Sequence, residues 1–125
     1  MDKLVSVIIS VYNKEPFLKK CIESLINLNM EQSKLEAIFV DDCSTDNSVA
    51  MIDSYANQYD FIRLIQLSTN TGSPSEPRNI GIKAAKGKYI ALLDADDWLD
   101  TEGFPRFMEK VNSDDAELGL GQSYK

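Results

Sequence analysis

Residues 4–11 read LVSVIISV, an almost unbroken apolar and β-branched run. Such a run is how a strand buried on both faces of a parallel sheet reads. A secretory h-region is the competing interpretation. The acidic Asp2 before it, the lack of a small-residue cleavage site and the Val/Ile content favour the strand. Three further apolar runs follow at comparable spacing: LEAIFV at 35–40, IRLIQL at 62–67 and YIALL at 89–93.

Helical patterns fill the gaps. Leu18, Cys21, Ile22, Leu25 and Ile26 recur at three-and-four spacing, with Pro16 in the first turn, where its missing N–H costs nothing. Val49, Ile52, Tyr55, Ala56 and Tyr59 mark a second helix that Ser44 or Thr45 would cap. A third runs over 76–86, with Gly87 placed for a left-handed cap, and a fourth over 101–111. Residues 116–120 would open a fifth strand. Strict alternation of strand and helix predicts an α/β fold: a Rossmann-like, mostly parallel sheet with right-handed crossovers and helices on both faces. With 125 residues and 43% hydrophobic content, the expectation is a single domain over 1–125.

Composition removes several function classes. The chain has no histidine, which excludes Ser-His-Asp and Cys-His mechanisms and most protein zinc sites. A net charge of -7 gives no electrostatic footprint for nucleic acid. No run approaches the ~18 apolar residues of a transmembrane helix. Cys21 and Cys43 read as reduced, structural thiols of a cytosolic protein.

In open parallel sheets ligands bind at the carboxyl ends of the strands, and two of these strands end in acids. Asp94 and Asp96 stand two apart after YIALL, so strand alternation can point both carboxylates the same way. That pair suits a hard divalent cation, Mg2+ or Mn2+, bound through carboxylates and substrate phosphates. A solvated turn with Asp97 and Asp100 as helix caps accounts for the same residues. Asp41 and Asp42 close the second strand; one can accept from a base or ribose while the other satisfies turn N–H groups, and helix capping by Ser44 and Asp46 is the simpler alternative. Between them, the loop from Asn70-Thr71-Gly72 to Pro77-Arg78-Asn79 brings free N–H groups and a fixed positive charge to the head of the third helix. An anionic diphosphate fits that grouping; an ordinary surface loop with an exposed arginine fits it too.

Taken together, SVIISVYN at 6–13, VDDCSTDNS at 40–48, NTG at 70–72, PRNIG at 77–81 and GKYIALLDADD at 87–97 resemble the amino-terminal half of family 2 glycosyltransferases. The resemblance implies a GT-A fold and an inverting, metal-dependent transfer of sugar from a nucleoside diphosphate sugar, usually UDP-linked. It implies that Asp42 contacts the uracil with Tyr12 helping to seat it. Asn70 and Arg78 would lie by the nucleotide and diphosphate, Asp94 would face the ribose or sugar, and Asp96 would hold the metal, with Asp94 beside it. Within the family, SPSEPRN at 73–79 is similar to bacterial enzymes that glycosylate teichoic acid, cell-surface polysaccharide or lipid-linked acceptors at the inner face of the membrane. The family's base lies in an acceptor-binding half beyond the D-x-D, and this sequence ends at Lys125, so no residue here is assigned as the base and the chain reads as a donor-binding piece. Two readings compete: an inactive nucleotide-binding module, and a receiver-type phospho-acceptor domain, whose acid pair belongs after the first strand, where this chain has Tyr12-Asn13.

Overall fold

The computed structural model describes residues 3–113. The order is β1 (Val5–Val11), α1 (Glu15–Ile26), a 3-10 turn (Gln32–Lys34), β2 (Leu35–Asp41), α2 (Ser48–Ala56), β3 (Ile62–Gln66), α3 (Ser75–Ala84), β4 (Tyr89–Leu92) and α4 (Gly103–Ser113). All strands pair in parallel, in the order β3-β2-β1-β4. The two central strands, VSVIISV and LEAIFVD, are buried along almost their whole length, as cover on both faces requires.

Crossover handedness then decides where the helices lie. The chain steps one way from β1 to β2 to β3, then returns past β1 to β4, so α3 must cover the opposite face from α1 and α2. Packing agrees. Val7, Ile9 and Phe39 bury against Leu18, Ile22 and Leu25 of α1, Ile52 of α2, and Phe104 and Met108 of α4. On the other face Ile8, Ile38 and Val40 meet Ile80, Ile82 and Ala84 of α3. Gly81 lets α3 lie close there, since a Cβ would come 2.5 Å from Ile8 Cγ2. The reversal between β1 and β4 is the switch point at which such sheets open a crevice.

Several boundaries differ from the sequence expectation. Ser44 and Thr45 do not cap α2, which starts at Ser48; Ser44 Oγ donates to Asp41 Oδ1 (2.6 Å) and Thr45 bonds Asn13, so both are committed to the turn. Asp46 takes the capping part, accepting the Ser48 N–H at 2.9 Å. Gly87 is not a left-handed cap: α3 stops at Ala84, and Gly72 has the positive φ. Gly87 is required instead because any Cβ would sit 2.5 Å from the Ser6 backbone nitrogen. Asp100 does cap α4, accepting the Gly103 N–H at 2.6 Å. The fifth strand over 116–120 lies outside the described residues.

Candidate donor-binding cleft

A cleft of about 530 Å3 opens over the carboxyl ends of β1, β2 and β4 and the head of α3. Tyr12, Asp42, Asn70, Arg78, Asp94 and Asp96, separated by up to 84 positions in sequence, all line it. The two strand-end loops that form one wall are tied together by Asn13, whose left-handed backbone (φ 51°) turns its amide toward its neighbour. Its Oδ1 accepts the N–H groups of Thr45 (2.8 Å) and Asp46 (3.2 Å), while its own N–H donates to Ser44 Oγ (2.9 Å). Tyr12 is thereby left on the outside of a rigid corner, 46% exposed.

The acid pair of β2 divides its work as the sequence allowed. Asp41 closes its own turn, accepting from Ser44 N (2.9 Å) and Ser44 Oγ. Asp42, 5% exposed, reaches across to the next loop: its two carboxylate oxygens accept from Thr71 N (2.8 Å) and Thr71 Oγ1 (2.9 Å). The Asn70 amide donates to the Asp42 carbonyl at 3.0 Å and takes the Gly72 N–H at 2.7 Å. A carboxylate has about four acceptor positions, so Thr71 fixes its plane and leaves capacity toward the cleft. Of the two residues in the capping alternative, Asp46 takes the Ser48 N–H at the head of α2 and Ser44 is spent on Asp41. Asp46 is held below the usual carboxylate range: burial pushes it up, but hydrogen bonds from Ser48 and from the Glu15 N–H outweigh that.

Across the cleft, β4 pairing ends at Leu92 and Asp94 begins a turn closed by the Asp97 N–H to Asp94 carbonyl bond (3.0 Å). The in-and-out alternation nevertheless persists: Leu93 and Ala95 are buried, Asp94 and Asp96 exposed. Oxygens of Asp94, Asp96 and Asp97 all come within 4.8 Å of one another. Three carboxylates so gathered repel one another in the absence of a cation, and an all-oxygen donor set fits Mg2+ or Mn2+. Arg78 Nη2 bonds Asp94 Oδ1 at 3.0 Å, and Lys14 Nζ lies 4.0 Å from Asp96 Oδ2. Beneath, the Cys21 thiol is pushed up to about 12 by burial and then by the charges of Asp97 and Asp96.

Sequence reasoning gave no site role to Lys14, which lines the cleft, or to Thr71 and Asp97, which lie against its lining residues. Thr71 is inside the N-T-G motif, but nothing in the pattern shows that its hydroxyl faces Asp42. Asp97 reads as a cap until the turn folds it back. Lys14 has no signal beyond following Tyr12-Asn13.

Comparison with known proteins places this geometry. The family profile "Glycosyl transferase family 2" matches residues 6–125. The poly(ribitol-phosphate) beta-glucosyltransferase of Bacillus spizizenii is 39% identical over 117 residues, 92% of this chain and 18% of that protein. Glycosyltransferase GlyG of Streptococcus pneumoniae is 33% identical over 99% of this chain and 40% of its own length. The chain thus spans well under half of the relatives it matches. Among solved structures, residues 1–349 of Staphylococcus aureus TarS superpose with a TM-score of 0.83 at 31% identity, over 88% of this chain and 32% of that one, and TarS has been solved with UDP and with UDP-GlcNAc. The parallel sheet is accordingly the GT-A arrangement, and the receiver-type alternative falls away. The chain belongs to glycosyl transferase family 2.

Proposed function

We propose that these residues bind the donor of an inverting, metal-dependent glycosyltransferase, a nucleoside diphosphate sugar carried on UDP. One observation carries the reading: six residues picked from sequence alone line one cleft over the switch point of the sheet. In it, Asp42, oriented by Thr71, accepts from the uracil, and Tyr12 seats the base. Asn70 shapes the loop beside the nucleotide, Arg78 faces the diphosphate, and Asp94 faces the ribose or sugar. Asp96, with Asp94 and Asp97, holds Mn2+ or Mg2+, which when bound neutralises the charge gathering on the departing diphosphate. The poly(ribitol-phosphate) enzymes among the relatives support a teichoic-acid or related surface-polymer acceptor, and with it a cytoplasmic position at the inner face of the membrane. No helix among the described residues is long and apolar enough to cross a membrane.

Among the described residues, the carboxylates that line the cleft all belong to the donor and metal set, so none of them is assigned as the base for the acceptor hydroxyl. Calorimetric titration with UDP, ADP and GDP tests the base assignment. UDP should bind at least tenfold tighter than the purine nucleotides, and Asp42→Asn should erase most of that preference. Equal affinities in the native protein would overturn the uracil reading.

A further inference from the structure

The acid turn is bracketed by two cations, one from each face of the sheet. Arg78 comes from α3 on the side of Ile8 and Ile38; Lys14 stands at the head of α1 on the other. Their contacts differ in kind. The Arg78 pair is a hydrogen bond at 3.0 Å. At 4.0 Å the Lys14 ammonium is too far from Asp96 to bond and is held only by the field of the acids and the face of the Phe17 ring, whose centroid is 5.9 Å away. Its backbone is nonetheless fixed, by the left-handed Asn13 before it and by its own N–H to Ser48 Oγ (3.1 Å). The anchored end and the flexible four-carbon stem allow the charge to swing within the cleft it lines.

We propose that Lys14 is an exchangeable counter-ion: it balances Asp96 before a divalent cation arrives and then turns to the diphosphate of the donor, opposite Arg78. The inference rests on the donor site proposed above. A cation at the three carboxylates would lie beside the Lys14 charge and be repelled by it. Once a diphosphate arrives, the same charge gains an anionic partner. Lys14 therefore works against metal binding in the empty cleft and in favour of nucleotide binding in the loaded one.

Those opposite signs give a test that a merely structural lysine would fail. A unit charge pair 4 Å apart in water is worth about 1 kcal/mol, or roughly fivefold in an equilibrium constant. In Lys14→Gln, Mn2+ alone, followed by the paramagnetic resonance of the free ion, should bind several-fold more tightly. UDP at saturating Mn2+, followed by calorimetry, should bind several-fold more weakly. Lys14→Arg should restore both toward native values. Shifts in the same direction, or no shift in either, would overturn the exchange. If the native protein bound Mn2+ but no UDP, the donor-site reading would fail and the diphosphate role with it. If it bound UDP and Lys14→Gln changed nothing, only the role of Lys14 would fall.

Discussion

The two edges of the sheet both hold carboxylates, on opposite terms. At the amino edge Glu36 of β2 is 3% exposed and saturated: Ser6 Oγ donates at 2.7 Å, Lys86 N at 2.9 Å and Arg63 Nη1 at 2.8 Å. Ser6 in turn receives the Gly87 N–H at 2.8 Å, and Arg63 reaches the Ala84 carbonyl at 3.2 Å. The network clamps the link from α3 to β4. At the carboxyl edge Asp94 and Asp96 lie in water, with one hydrogen-bonded arginine and one distant lysine. The same sheet thus closes charge off with its own N–H groups where β4 must be held in place, and leaves charge open where a cation and an anion are to be received. The price of the open edge is repulsion among neighbouring acids.

That contrast can be broken first at the closed edge. Glu36→Ala would leave the Ser6 hydroxyl and the Lys86 N–H without their acceptor. Arg63, 38% exposed along its side chain, can turn to water, so the cost is that of unsatisfied buried groups and not of a stranded charge, about 2–3 kcal/mol. Denaturant unfolding should show that loss, with UDP affinity of the folded fraction unchanged. The edge also has a pH signature. Burial raises the Glu36 carboxyl, but bonds from the Lys86 N–H, Ser6 and Arg63 outweigh it, and the net shift is downward. A depressed folded value means the stabilisation is complete above the unfolded pKa, near 4.3, and is lost as pH falls through the folded one. Native protein should therefore lose melting temperature on acidification below about pH 4 more steeply than Glu36→Gln.

A smaller effect sharpens the comparison from the other side. Thr71→Val keeps the shape and the backbone N–H to Asp42 but removes the hydroxyl donor at 2.9 Å. UDP should bind roughly five- to tenfold more weakly, the ~1 kcal/mol of a single hydrogen bond, with stability nearly unchanged. A stability loss equal to the affinity loss would mean that Asp42 is structural, like Glu36.

The fold class was legible because its central strands read as almost unbroken apolar runs, whereas the strand order was not, since crossover handedness sets the helix faces only once the order is known. The cleft was legible because polar and acidic residues after such runs can lie only at the sheet edge. What was not legible depends on three-dimensional closure. The start of α2 is set by Asn13, over thirty positions earlier, drawing Thr45 and Asp46 into a turn. Gly87 looks like a cap until β1 is beside it, and Glu36 looks like a solvated residue until Ser6, Arg63 and the α3–β4 link converge on it. Lys14 acquires meaning only when the turn at Asp94 folds back toward α1.

The central claim, that the open acids bind the donor through a divalent cation, is tested most directly by calorimetric titration of UDP with Mn2+ and with chelator, on native protein and on Asp96→Ala. Binding in Mn2+ should weaken at least tenfold with chelator, and an Asp96→Ala protein should fold normally yet gain nothing from Mn2+. UDP binding indifferent to both metal and Asp96 would contradict the claim.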